Sequence, residues 1–243
     1  MVLPPINRQV VVPVPPPSAF DAFTSKIGTW WPVAGHSVHG PGAAPAFRDG
    51  TLVEITPDGA EHLWGTVLDW EPPRSFRMTW HPGRPPSPNS VVQVTFAPVG
   101  DEATLVTVTH SGWESLDART DYRNGWPTVL GALGGLFRPV AGDTDVVLVL
   151  RHTPAPGVVN PFEEPLFAEH GKFLAGLRER GVLVGAGPFP GTGEGMTIVR
   201  VRGAEEAAEM VHSAHYEDGS VTGGVLEVTV RPWVVMLHGS SLA

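Results

Sequence analysis

His170 stands one helical turn after Leu166 and one before Phe173 and Leu174, so on a helix it shares the apolar face and is at least partly buried. An imidazole held there can act as general base toward a carbon or hydroxyl acid, because its ordinary pKa lies near neutral pH. The alternative is a core histidine with a satisfied hydrogen bond. Glu209, His212 and His215 recur at three-residue spacing, a one-face pattern compatible with a metal. Without a third strong ligand they read as a solvated helix face. His36 and His39, set among Gly and Pro, are treated alike, and no metal is predicted. Gly191-Thr-Gly-Glu-Gly195 has the look of a phosphate-cradling loop, but such loops run from a strand into a helix and this one joins two strands. It reads as a flexible hairpin, with Glu194 as a possible contact to substrate. Glu163-Glu164 and Glu205-Glu206 suit helix starts, where the backbone dipole favours negative charge.

A second group of residues is aromatic. Trp30, Trp31, Trp64, Trp80, Trp113 and Trp126 can line a pocket for a flat or hydrophobic ligand, with His110 as its polar handle. They can equally fill the core of a curved sheet.

These residues need elements to hold them. Seven of the eight tryptophans precede residue 141, so the two halves of the 243-residue chain have different cores. The Pro/Gly/Asp stretch from Arg138 to Asp145 has a linker's composition. The expected domains are 1–140 and 141–243. With 42% hydrophobic and 17% charged residues the chain is globular. A net charge of -9 with 16 basic residues gives no footprint for nucleic acid or an anionic membrane, so neither is an expected partner. Pro4, Pro5 and Arg8 stand where a signal peptide needs an apolar core, and the expected location is cytoplasmic. The absence of cysteine removes disulfides and thiolate chemistry.

In the first half a strand through Val10 to Val14 stops at Pro15 to Pro17. Ser18 and Asp21 then suggest a capping box for a short helix that breaks at Gly28. Period-two segments follow at Thr51 to Thr56, His62 to Trp70, Ser75 to Trp80, Val91 to Phe96 and Thr104 to Thr109, an antiparallel meander. Trp126, Val129, Leu130, Leu133 and Phe137 recur at helical spacing, with Pro127 placed in the first turn. The second half reads as strand Val146 to Leu150, helix Pro165 to Arg180, strands Val182 to Ala186 and Met196 to Val201, helix Ala204 to His215 and strand Val225 to Val234. That βαββαβ order is ferredoxin-like, and the whole chain is α+β.

Two resemblances fit these elements. Ala22-Phe23 followed by Trp30-Trp31-Pro32, the run Gly65 to Pro73, Phe76 with Trp80, and Thr109-His-Ser-Gly-Trp113 before Gly125-Trp126 resemble the START-like (SRPBCC) superfamily, in the branch similar to activators of a chaperone ATPase. The resemblance implies a helix-grip fold, a curved sheet around a long C-terminal helix, with an apolar pocket for a small hydrophobic or aromatic molecule. Glu169-His170 leading into Phe173-Leu174, Gly181 to Pro188, and Asp218 leading to Arg231-Pro-Trp233 resemble the YciI-like family. That resemblance implies a catalytic pair of His170 with Asp218, in which the aspartate orients the imidazole, and a homodimer built sheet to sheet. The family usually has Asp-Pro where this chain has Asp218-Gly219, so the rigid turn that would aim the carboxylate is missing. The functional expectation is a cofactor-independent lyase or isomerase acting through His170 and Asp218. Its rival is a non-catalytic ligand-binding or chaperone-associated module whose second domain serves dimerisation.

Overall fold

The first half folds as β1 (Ile6–Val12), α1 (Pro16–Thr24), α2 (Ile27–Trp30), α3 (Val33–His36), β2 (Ala44–Arg48), β3 (Thr51–Ile55), β4 (Glu61–Glu71), β5 (Ser75–Thr79), β6 (Val91–Val99), β7 (Ala103–Ser111) and α4 (Leu116–Gly134). The second half folds as β8 (Asp145–Pro154), a 3-10 turn (Pro161–Glu163), α5 (Phe167–Glu179), β9 (Leu183–Pro188), β10 (Gly195–Arg202), α6 (Gly203–Tyr216), α7 (Gly219–Thr222) and β11 (Leu226–Pro232). The computed structural model describes residues 3–85, 90–113, 115–137, 145–233 and 235, and its chain divides into two units, taken in turn below. The expected boundary near residue 141 and the expected strand end at Val234 lie outside the described residues.

The first unit is a seven-stranded sheet in the order β1-β7-β6-β5-β4-β3-β2, with antiparallel pairings. Alternation along each strand sends one set of side chains to the core: Val92, Val94 and Phe96 of β6 are buried together with Phe76 and Met78 of β5. The buried stripe of α4, Trp126, Val129, Leu130 and Leu133, joins the same cluster. α1 adds Phe20 and Phe23, whose rings meet Phe96 and Phe76.

Three local expectations are corrected. Ser18 is inside α1, and Pro15 is its N-cap with no side-chain cap bond, because the rigid prolines begin the helix before the hydroxyl arrives. Gly28 does not break a helix; it lies within α2, after α1 has ended at Thr24. Pro127 is interior to α4, which begins eleven residues earlier at Leu116, where the Ser115 hydroxyl accepts the Ala118 amide at 3.1 Å. β2 was absent from the expectations because Pro45 reads against a strand. As the last strand of the order it is an edge, where proline is tolerated.

The second unit is a four-stranded antiparallel sheet in the order β11-β8-β10-β9, that is, fourth, first, third and second along the chain. Leu148 and Leu150 of β8, Val199 and Val201 of β10 and Val228 and Val230 of β11 form its buried face. The two helices contribute Leu177 from α5 and Ala207, Met210, Val211 and Ala214 from α6. His215 corrects the reading of a wholly solvated face: it is 4% exposed, because the buried arc of α6 is wide enough to include Ser213, Ala214 and His215, while Glu209 and His212 remain exposed.

Two stability predictions follow from the first unit. A β-carbon on Gly65 would lie 1.9 Å from the Thr79 carbonyl oxygen of the neighbouring strand. Gly65→Ala is therefore expected to cost at least ~3 kcal/mol in urea denaturation followed by tryptophan fluorescence; a loss below ~1 kcal/mol would show that β4 and β5 can part freely. His110 is fully buried, and burial pushes its pKa down to about 3. Trp126 Nε1, which can only donate, bonds His110 Nδ1 at 3.2 Å, so the proton sits on Nε2, facing Ser90 Oγ at 2.8 Å. The unfolded chain takes up the proton near pH 6.5 and the folded chain only near pH 3, so stability falls as pH drops through that window, by up to ~1.4 kcal/mol per unit. His110→Gln, which can still accept from Trp126 and donate to Ser90, should flatten this slope between pH 6.5 and 4; an unchanged slope would place the proton uptake elsewhere.

Candidate functional site

The alternation of β8 carries Val146, Leu148 and Leu150 to the helix-facing side of the second sheet, and the next residue in that series is His152. It is 2% exposed and pairs in register with Gly195 of β10 and Val228 of β11. Above it, α5 presents His170, whose ring centre is 4.5 Å away in an edge-on contact. Phe167 and Phe173 flank the His170 ring at 5.8 and 6.4 Å.

Asp218, fully buried, fixes that ring. Its Oδ2 is 2.6 Å from His170 Nδ1, and its Oδ1 accepts the Ser220 amide at 3.0 Å and the Ser220 hydroxyl at 2.8 Å. Burial raises the carboxyl pKa, but the hydrogen bond and charge of His170 and the two bonds from Ser220 outweigh it and hold Asp218 below its ordinary value. An ionised carboxylate can only accept, so His170 donates through Nδ1–H and its basic nitrogen in the neutral ring is Nε2.

The missing proline after Asp218 has a structural replacement. Asp218 is the N-cap of α7, so the turn is set by its own side-chain bond to the Ser220 amide. Glycine is needed next because a β-carbon there would fall 2.7 Å from Glu169 Cβ, the residue preceding His170. Close approach of α7 to α5 brings Asp218 within reach of the imidazole.

His170 and His152 line a cavity of about 400 Å³ between the sheet and α5. Its walls include Phe162, Phe167, Leu174, Met196 and Leu226. Glu194 of the β9–β10 hairpin also lines it, and is paired with Arg151 at 2.6 Å. His152, His170 and Asp218 form the group of potential metal ligands found among the described residues, with donor atoms within 4.8 Å of one another. Sequence reading passed over His152 because it treated the strand as ending at Leu150. Extending the two-residue period by one step would have placed it beneath the helix.

The first unit has its own cavity, about 340 Å³, lined by Trp31, Trp80 and Trp126 together with His36, Tyr122 and Val129 among others. The remaining aromatic candidates stand outside that lining. Trp30 donates to the Ala22 carbonyl at 2.8 Å and Trp64 to Glu54 at 3.0 Å, both within the core. His110 is held as described, and half-buried Trp113 packs on it with ring centres 4.1 Å apart. Glu54, fully buried, was not singled out by sequence. It also accepts the Val38 and His39 amides at 3.0 Å each, which ties the segment bordering the cavity to β3. Burial opposes its charge, yet the His39, Val38 and Trp64 bonds prevail and keep its pKa below the ordinary carboxylate value.

No described helix is long and apolar enough to cross a membrane. No curated protein sequence matches the chain. Among solved structures, a self-sacrificing resistance protein from Micromonospora echinospora is 25% identical, with 55% of this chain and 93% of that chain covered and a TM-score of 0.43. An Hsp90 activator from Plasmodium falciparum is 19% identical, with 55% and 95% covered and a TM-score of 0.40. The Aha1 dimer from Colwellia psychrerythraea is 17% identical, with 55% and 95% covered and a TM-score of 0.38. His152, His170 and Asp218 all lie beyond the last residue matched by a family profile. That profile, described as Activator of Hsp90 ATPase homolog 1-like protein, matches residues 13–138, just over half of the chain, and the protein belongs to this family through its START-like first domain.

Proposed function

We propose that the second domain, residues 141–243, is a YciI-like domain of ferredoxin type that catalyses proton transfer on a small molecule, as a cofactor-independent isomerase or lyase. The observation that carries this reading is the 2.6 Å contact of His170 with buried Asp218 at the wall of an apolar cavity. A dyad sealed from any cavity would suit a scaffold; here His170 lines a cavity of about 400 Å³. His170 is the general base and then the acid, and Asp218 orients the ring and stabilises the imidazolium. The strand order β11-β8-β10-β9 supports the ferredoxin-type assignment.

In the same proposal the first domain, residues 1–140, binds a small hydrophobic or aromatic molecule between Trp31, Trp80 and Trp126. The second domain forms a homodimer through the sheet face turned away from its helices, where Val147, Val149 and Ile198 are only half-buried. The family description favours a second reading for the first domain alone, contact with an Hsp90-type chaperone ATPase.

The test compares wild type with His170→Gln in a fractionated bacterial metabolite extract, by untargeted mass spectrometry. Wild type should consume at least one compound, with a rate reduced by about 10²-fold or more in the variant and a melting temperature within a few degrees. Equal consumption by both proteins rules out His170 chemistry, and retention without consumption by both favours a binding module.

A further inference from the structure

We propose that His152 is the substrate-binding residue of this site, a hydrogen-bonding group that positions the oxygen of a neutral carbonyl or hydroxyl compound beside His170. The inference rests on the proton-transfer reading of His170 and Asp218 and names the class of molecule it acts on.

His152 is 2% exposed, and neither ring nitrogen has a hydrogen-bonding partner among the described residues. Buried polar groups are nearly always satisfied, so a histidine placed on the central strand with two unmet nitrogens calls for a partner from outside the chain. It lines the cavity, and its ring contacts the edge of His170, so a molecule bonded to His152 stands next to the general base. Burial, and then the nearness of His170, push its pKa down to about 3 against the opposing pull of Asp218. A neutral imidazole offers one donating and one accepting nitrogen.

The walls decide the charge of the ligand. Among the described residues lining the cavity none is Lys or Arg; Glu194, which lines it, is already paired with Arg151 at 2.6 Å, and buried Asp218 lies behind His170. A carboxylate or phosphate would lose its hydration to a largely apolar lining with no Lys or Arg among its described residues, whereas an uncharged oxygen needs only one donor. In the step itself, Nε2 of His170 takes a proton from the carbon next to a carbonyl. The C–H electron pair becomes the C=C bond, the carbonyl π pair moves onto oxygen, and the His152 N–H donates to that oxygen. In a β,γ-unsaturated substrate the enolate is a dienolate: as the oxygen pair re-forms the carbonyl π bond, the α,β double bond is set in place and the former β,γ pair takes the proton back from His170 at the γ-carbon, which completes an isomerisation with no co-reactant required.

The probe is 2-indanone, a neutral enolisable ketone, with indane-2-carboxylate as its anionic counterpart; binding is followed by protein-observed NMR and proton exchange in heavy water by loss of the probe's C1 signal. Wild type should bind the ketone at least about tenfold more tightly than the carboxylate, and His152→Phe should weaken ketone binding by about tenfold. His152→Gln, which restores an amide donor, should recover most of that loss. Wild type that fails to bind the ketone saturably, no preference over the carboxylate, equal ketone binding by wild type and His152→Phe, or saturable Zn²⁺ binding that requires His152 would each overturn the proposal. His170→Gln separates the two readings. If it abolishes exchange while His152→Phe binds and exchanges like wild type, the proton-transfer reading stands and the role of His152 falls. If ketone binding depends on His152 but wild type catalyses no exchange, the reverse holds.

Discussion

An ionised carboxylate with no exposure to water has to be met by hydrogen-bond donors, and Asp218 imposes that requirement on everything around it. Two donors come from Ser220, which obliges the chain to turn at once into α7. The third is His170, which fixes the rotation of α5 about its axis and the tilt of the imidazole. Removing one partner of such a set leaves the remaining charge buried and unpaired, so the three donors and the acceptor stand as a unit. Gly219 belongs to the same unit, since any β-carbon at that position would separate α7 from Glu169 and lift the carboxylate off the ring. The turn that a proline would supply by rigidity is supplied here by a side-chain cap and close packing.

The first unit solves the same problem with a different outcome. Glu54 is equally buried and also has three donors, the Val38 and His39 amides and the Trp64 indole. None of these donors is a titratable group, so the arrangement can hold the 37–39 segment against β3 but cannot move a proton. Trp31 is the hub of the aromatic cluster, with ring centres 5.3 Å from Trp64, 5.6 Å from Trp30, 5.9 Å from Trp80 and 6.2 Å from Trp126. Packing of this kind accounts for Trp30 and Trp64, while Trp31, Trp80 and Trp126 serve the core with one face and the cavity with another.

Sequence made most strands legible because a half-buried strand shows itself in every second residue, as in Val92, Val94 and Phe96. The helix of His170 was legible for the corresponding reason, the recurrence of apolar residues around each turn. The resemblance then supplied Asp218, which no local pattern could join to a residue 48 positions away. Features that depend on tertiary position were not legible. Pro45 belongs to a strand only because β2 is an edge, and Ser115 caps α4 through a bond that the more conspicuous Pro127 obscured. His215 is buried because of the width of the arc that α6 presents to the sheet.

His152 was missed for a subtler reason: a histidine at the end of an apolar alternation looks like the place where the alternation stops. The strand continues, and the register of β8 with β10 and β11 carries the imidazole under α5 as surely as it carries Leu150. Two histidines thereby face one cavity in opposite circumstances. His170 has a carboxylate on its Nδ1, which fixes the tautomer and the tilt of its ring. His152 has no such partner among the described residues, and burial, then the nearness of His170, pushes its pKa down to about 3. The two rings therefore differ in how they are held, one anchored by a carboxylate and the other by no hydrogen-bonding partner among the described residues. That difference is set by Asp218, whose hydrogen bond goes to one ring and not to the other.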